Sequence, residues 1–326
     1  MNILLTGGAG YIGSHTTYEL IRDGHSVIIL DNLSTGNKQV VHPQAKFYEE
    51  DQLDKNVMKK IFSENNFDVV MYFSAKLIVP KSVEQPLVYF ENNVYGLGLI
   101  LEVMKEYGVK NIVFSLTAAV YGDQNLDTLK EDSPKEPFTP YGTSKLSCER
   151  LIQGAAKAYK MNYVIFRYFN VAGADAFGEI GQSTKSRELT HLIPVVIESA
   201  SGIRKNMSIF GNDYKTKDGT CVRDYIHVSD LAKAHVFGAK YAFNGKSNIF
   251  NLGSNNGFSV QEIVNSVEST PALKVPYNVE GRRDCDPAKL VASNDRALKE
   301  LHWSPSFDLD IMIKSDYLWR NNNFFS

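Results

Sequence analysis

Tyr141 and Lys145 stand four residues apart in YGTSK, inside a segment from Pro140 to Lys160 whose apolar spacing predicts a helix. On a helix that spacing puts a phenol and an ammonium on one face. A positive charge about 4 Å away, at an effective dielectric near 20, is worth roughly 4 kcal/mol, or about three pKa units. A phenol brought from about 10 to about 7 in this way can serve as a general base. The spacing alone proves little, because Tyr72 and Lys76 repeat it. That second pair lies in an apolar run that reads as a strand, where positions i and i+4 are far apart, so Tyr72 is expected in the core. A third group favours the first pair. The run SLTAAVYG ends a strand at Thr117, and the carboxyl edge of an open sheet is where ligands bind. A hydroxyl there can bridge a reacting oxygen and the Tyr141 phenol.

A second constellation opens the chain. Residues Gly7 to Gly13 read GGAGYIG directly after a strand-like NILLT and at the start of a helical pattern. Glycines are needed where backbone must approach a pyrophosphate held at a helix N-terminus. A triphosphate-binding P-loop would need Lys and Ser/Thr after the last glycine, whereas this chain has Ser14 and His15. Asp31 closes the second predicted strand 18 residues past Gly13, where a carboxylate can accept hydrogen bonds from ribose hydroxyls. Such a carboxylate repels a 2′-phosphate and selects NAD over NADP. The positive charge of an oxidised nicotinamide would lower the Tyr141 phenol further. Asp51, at the end of the third strand, reads equally as a group that meets the adenine edge and as an exposed strand-end carboxylate.

The elements that must position these groups alternate regularly. Ile3 to Thr6, Ser26 to Asp31, Lys46 to Glu50, Asp68 to Ser74, Asn111 to Leu116 and Tyr163 to Tyr168 read as strands, with helices at Ile12 to Gly24, Asp54 to Asn65, Asn92 to Gly108 and Pro140 to Lys160. Strands apolar on both faces belong to covered parallel sheets, so the expected fold is α/β, a Rossmann-type doubly wound sheet with a smaller α/β substrate-binding domain. The first domain is placed at residues 1–168, with a return segment at about 224–254, and the second mainly at 169–326. A polar stretch to Thr190 and a loop from Gly211 to Gly219 fall in the second, and the tail after Trp319 (RNNNFFS) is expected to fray.

Composition excludes other classes. In 326 residues, 35 Lys+Arg against 37 Asp+Glu leave a net charge of -2, which gives no footprint for nucleic acid or an anionic membrane. Three separated cysteines, Cys148, Cys221 and Cys285, make neither a disulfide framework nor a CxxC site and suit a reducing compartment. No signal-peptide pattern or membrane-length apolar run is present, so a cytoplasmic location is expected. Seven histidines show no paired ligand spacing, so no metal is expected, and His227 is read as a packed or hydrogen-bonded loop residue.

Taken together, TGGAGYIGSH, DNLSTG, SVEQPL, NNV, PYGTSK, RYFNVAGA, IFGNDY, VRDYIHVSDLA and NLGS resemble the extended short-chain dehydrogenase/reductase family along nearly the whole chain. IFGNDY with DGTCVRDYIHV is close to the pattern of that family's UDP-hexose 4-epimerases. The resemblance implies tightly held NAD, UDP-glucose and UDP-galactose as substrates, and Thr117, Tyr141 and Lys145 as the catalytic set. It implies cofactor contacts from Gly7, Gly10, Tyr11, Ile12, Gly13, Asp31, Asn32, Asp51, Gln52, Phe73, Ala75, Asn92, Tyr141, Lys145 and Tyr168. It implies substrate contacts from Thr117, Asn170, Leu192, Phe210, Arg223, Arg283 and Asp286. Two separated arginines suit a diphosphate, since each guanidinium can grip two oxygens. A homodimer built through the helices from Asn92 and Pro140 is also implied.

The chain departs from the family pattern at several positions. The usual serine run before the hydroxyl is SLTAAVYG here, with a stiffer β-branched Thr117 and no hydroxyl at Ala119, which bears on rate. Lys76 and Leu77 displace a frequent lysine, and Cys285 stands for a glycine in RRDCDP. Leu290 occupies a place where a tyrosine often closes the sugar pocket, so N-acetylated sugars become candidate substrates. A dehydratase needs an acid and a base after the threonine, where this chain has Ala118 and Ala119. A catalytically silent NAD-binding protein is the alternative of another class, disfavoured by the retained Tyr141, Lys145 and hydroxyl.

Overall fold

The structure, a computed structural model, describes residues 1–124, 126–182, 191–269, 273–283 and 286–324; Cys285 and most of the polar stretch to Thr190 lie outside them. In chain order the strands are β1 (Asn2–Thr6), β2 (Ser26–Leu30), β3 (Lys46–Tyr48), β4 (Val69–Tyr72), β5 (Asn111–Thr117), β6 (Asn162–Tyr168), β7 (Asn170–Ala172), β8 (Met207–Phe210), β9 (Val222–His227), β10 (Asn248–Leu252), β11 (Gly257–Ser259), β12 (Tyr277–Glu280) and β13 (Lys289–Leu290).

Seven of them form one all-parallel sheet in the order β10-β6-β5-β4-β1-β2-β3. Successive side chains of a strand point to opposite faces, and here both faces are covered. Leu4, Val70, Ile112 and Phe114 meet the helices Lys55–Glu64, Gly96–Glu106 and Pro140–Tyr159 on one side. Ile3, Leu5, Val69 and Val113 meet the helices Tyr11–Arg22 and Val228–Phe243 on the other. That is why the strands read as uniformly apolar runs. The order reverses between β1 and β4, which opens a crevice at their carboxyl ends.

A smaller lobe is built around β9, which pairs with β7, β11 and β13, and beside it β8 pairs with β12. Its own core comes from Ile193, Ile197, Ile263, Val264, Met312 and Ile313 on the helices Leu192–Ala200, Val260–Glu268 and Leu309–Phe324. The chain crosses back to the large sheet at Val228.

Two expectations require correction. The tail does not fray after Trp319, because the last helix runs to Phe324 and Arg320 is fully buried, bonded to Asp316 at 3.0 Å and Glu198 at 3.1 Å. A long-range ion pair there overrides weak local propensity. Ahead of the helix expected from Asn92, short helices at Val79–Glu84 and Pro86–Phe90 lead into a wider π-type turn at Glu91–Tyr95.

Candidate active site

The glycine turn sits in the crevice. Gly7 has φ +73°, and a Cβ on it would lie 2.7 Å from the Ser74 nitrogen beyond β4; a Cβ on Gly13 would lie 2.3 Å from the Gly7 carbonyl oxygen. Gly10 caps the first helix without any side-chain hydrogen bond, so the backbone N–H groups and positive dipole end of that helix stay open to an anion. This cradle, which a single methyl would fill, fits the pyrophosphate of a dinucleotide. Tyr11, the first residue of that helix, donates its hydroxyl to the Gly173 carbonyl.

Asp31 closes β2 and is nearly buried. Its Oδ2 accepts from the Ala9 N–H at 2.9 Å and its Oδ1 from Leu33 N–H at 2.8 Å, while burial raises its pKa. Asn32 donates to Asp51 at 3.0 Å, which brings two of the expected adenosine contacts together. Phe73 and Ala75 follow β4 on the opposite wall, half-buried. Gln52 is buried, its amide against the Asn92 carbonyl and the Tyr72 hydroxyl. Tyr72 is a core residue stacked on Phe114, as its strand position predicts.

Tyr141 and Lys145 lie in the first turns of the helix Pro140–Tyr159. Thr139 caps that helix by accepting from Gly142 N–H at 3.1 Å, and Pro140 supplies the fixed first residue. Thr117 ends β5, where its hydroxyl accepts from the Ala119 N–H at 3.2 Å and lies near enough to the Tyr141 phenol to favour its anion. Tyr168, paired in register with Thr117 at the end of β6, stands close enough to act electrostatically on Tyr141. The expected depression of the Tyr141 phenol by Lys145 is overturned. Burial raises Tyr141 above its ordinary value, the Tyr168 phenol adds to this, and the Thr117 hydroxyl opposes it only in part. Burial likewise pushes the Lys145 ammonium down to about 8, with Nζ 4.5 Å from the Phe114 ring centroid. Lost hydration disfavours the charged form of each group once both are enclosed.

On the smaller lobe, residues remote in sequence converge. Arg223, in β9, pairs with the Asp286 carboxylate and sits opposite Leu290 of β13. The Arg283 guanidinium lies 3.7 Å from the Phe210 ring centroid. Asn170 pairs in register with the buried Tyr225, and Leu192 packs half-buried on the lobe's core. His227 is buried at the end of β9, where its ring accepts from Ser229 N–H at 3.0 Å. Among the described residues no group of three or more His, Cys, Asp or Glu could hold a metal ion, and no helix is long and apolar enough to cross a membrane.

Residues 3–253 match the NAD dependent epimerase/dehydratase family. The chain belongs to that family. The matched span holds the large sheet except for Asn2 and stops one residue beyond β10, so Arg283, Asp286 and Leu290 lie past it. Full-length relatives cover them. A UDP-glucose 4-epimerase of Lacticaseibacillus casei is 44% identical over 325 residues, 99% of this chain and 98% of the relative. A crystal structure of a UDP-glucose 4-epimerase from Bifidobacterium longum, in complex with NAD+ and UDP, superposes with a TM-score of 0.93 at 37% identity, covering 99% of both chains. A UDP-Glc/GlcNAc 4-epimerase from Campylobacter jejuni superposes with a TM-score of 0.85 at 37% identity, covering 98% of this chain and 99% of the other.

Several residues that hold this family site together were not singled out from the sequence. Ser82 accepts from the Tyr141 N–H at 3.2 Å, and Tyr89 sets its ring edge-on to Tyr141 at 6.5 Å. Asn93, fully buried, bonds to both backbone groups of Lys76 and to Ser144, pinning the wall after β4 to the helix of Tyr141. Ser82 and Asn93 fall in SVEQPL and NNV, motifs visible in the sequence without their roles.

Proposed function

We propose that this chain interconverts UDP-glucose and UDP-galactose by transient oxidation at sugar C4. The observation that carries the reading is the meeting of Tyr141, Lys145 and Thr117 at the carboxyl edge of the sheet, beside the glycine cradle, in a chain 44% identical along its length to a UDP-glucose 4-epimerase. Gly7, Gly10, Gly13 and the N–H groups of Tyr11 and Ile12 hold the pyrophosphate of NAD. Asp31, Asn32 and Asp51 serve its adenosine end, and Gln52, Phe73, Ala75, Asn92 and Tyr168 complete its wall. When bound, NAD would supply the acceptor and return donor for the C4 hydride and a positive ring that favours the Tyr141 phenolate.

Tyr141 takes the proton from the 4-hydroxyl and later gives it back, with Thr117 bridging phenol and sugar oxygen. Lys145, its ammonium lowered to about 8 by burial, still carries its positive charge at neutral pH and favours the phenolate as that anion forms. Arg223 and Arg283 grip the diphosphate, with Asp286, Asn170, Phe210 and Leu192 around the uridine end, while the 4-keto hexose turns over between the two hydride transfers. Residues 1–168 with the return segment near 224–254 act as the NAD unit and 169–326 mainly as the nucleotide-sugar unit.

A cytoplasmic homodimer completes the reading. Leu87 and Tyr95 are 83% and 57% exposed near the start of the helix Gly96–Glu106, and Leu151 is exposed on the helix Pro140–Tyr159, which supports a partner copy on that face. A second reading, turnover of N-acetylated UDP-hexoses, is favoured by Leu290, which faces Arg223 with a side chain shorter than tyrosine.

The test is conversion of UDP-galactose by purified protein without added NAD, beside Tyr141→Phe. Conversion by the parent and its loss by 10²-fold or more in the variant is the expected result. No conversion even with NAD and N-acetylated substrates supplied would move the reading to a silent NAD-binding protein.

A further inference from the structure

Both ends of the first helix are tied to one segment, Gly173–Gln182, which follows β7. At the start, the Tyr11 hydroxyl donates to the Gly173 carbonyl. At the end, Arg22 donates to both oxygens of Asp175, Nη1 to Oδ1 at 2.9 Å and Nη2 to Oδ2 at 3.0 Å, and also pairs with Glu179. Its guanidinium lies 4.4 Å from the Phe177 ring centroid. Tyr11, His15, Tyr18 and Arg22 recur at helical spacing and make one stripe, so the segment runs along about 18 Å of helix.

Asp175 organises the segment. Nearly buried, it accepts from Phe177 N–H at 3.0 Å and Glu179 N–H at 3.3 Å, and its own N–H donates to Ile180 at 2.8 Å. Burial opposes its charge, yet Arg22 holds the carboxyl below its ordinary pKa. Beyond Ile180, Gly181 and Gln182 join Gly10, Tyr11, Ser14 and Thr35 in walling a small cavity at the helix N-terminus. The end of the segment therefore stands beside the helix N-terminus that the glycine turn opens.

We propose that Gly173–Gln182 is a strap closed over the pyrophosphate end of the cofactor site, and that the Arg22–Asp175 ion pair is the latch that holds it, setting how fast NAD leaves. This rests on the reading that NAD binds at the glycine turn. Removing Arg22 leaves a nearly buried carboxylate without its counter-charge and frees the strap at the end remote from Tyr11. Phe177, exposed and stacked on Arg22, steadies the guanidinium from outside.

The experiment loads the full chain with radiolabelled NAD, chases with excess unlabelled NAD, and follows retained label by rapid gel filtration, with circular dichroism recording the folded state. Arg22→Gln is expected to release NAD at least tenfold faster. Arg22→Lys, which keeps the charge without the two-pronged grip, falls between it and the parent. Phe177→Ala gives a smaller acceleration, about threefold, and carries the test if Arg22→Gln fails to fold. Lys59→Gln, which breaks an exposed pair with Glu106 elsewhere on the molecule, leaves the rate unchanged. Release from the folded Arg22 variants and Phe177→Ala within twofold of the parent overturns the latch. A parent that binds no NAD overturns the cofactor reading itself, and the latch with it.

Discussion

Glu149 and Arg167 meet in the core through two hydrogen bonds, Nε to Oε2 at 2.9 Å and Nη2 to Oε1 at 2.7 Å, both residues being almost wholly buried. Glu149 lies two helical steps of four from Tyr141 and one from Lys145, and Arg167 pairs in register with Leu116, the neighbour of Thr117. The ion pair therefore fixes the helix of Tyr141 and Lys145 against the strand of Thr117. Arg167 also reaches the Tyr121 hydroxyl and the Glu131 carbonyl, each at 2.8 Å.

Breaking a buried pair from one side strands a charge, which costs about 3–5 kcal/mol. Glu149→Ala is expected to lower the urea midpoint accordingly and to reduce kcat, because the Tyr141 helix loses its register with β5. Glu149→Met/Arg167→Met removes both charges and recovers part of the stability, while kcat stays below the parent. Equal stability for Glu149→Ala and the parent would show that the pair fixes nothing.

Gly13 is expected to tolerate no side chain. A Cβ there would stand 2.3 Å from the Gly7 oxygen and 2.9 Å from the Gly8 Cα, both backbone atoms of the cradle itself. Gly13→Ala must shift the turn, so the protein should purify with little NAD and bind added NAD at least tenfold more weakly. Isothermal titration measures this directly. Unchanged affinity would mean that the pyrophosphate sits elsewhere.

The large sheet and its glycine turn were legible because their signals are local. Continuous apolar runs, helical spacing, and glycines followed by Asp31 each sit within a short window. Thr117, Tyr141 and Lys145 were legible for the same reason. What the sequence hides is pairing at long range. Nothing near Arg320 marks it as a partner of Glu198, so the tail reads as polar and loose. Nothing near Ser82 announces that it caps Tyr141 from another helix. The burial that raises the Tyr141 phenol is equally hidden, because charge spacing is visible in a sequence and enclosure is not.

Leu290 is expected to set sugar breadth. It lies half-buried in β13 opposite Arg223, packed against the core under the large sheet. A tyrosine there adds a ring and a hydroxyl on the side where the nucleotide sugar is proposed to sit. Leu290→Tyr should lower kcat/KM for UDP-N-acetylglucosamine by at least tenfold and change it little for UDP-glucose. Failure of the parent to turn over the N-acetylated sugar would end this proposal.

Three buried histidines predict how stability depends on acid. His15, His227 and His235 are each pushed down to about 4, burial being the largest cause in every case. Unfolded, each titrates near 6.5, so between about 6.5 and 4 the unfolded chain binds more protons than the folded one. Stability contributed by neutral burial is complete above about 6.5 and is lost as pH falls through this window. The slope per histidine is at most about 1.4 kcal/mol per pH unit, giving on the order of 3 kcal/mol each at pH 4. Urea midpoints measured between pH 7.5 and 4.5 should therefore fall steeply below 6.5, and His235→Phe, which replaces a ring packed on Phe73 and Phe166, should flatten the fall by about a third. A parent whose stability stays level from 7.5 to 4.5 would show that the rings are protonated in the folded protein without penalty.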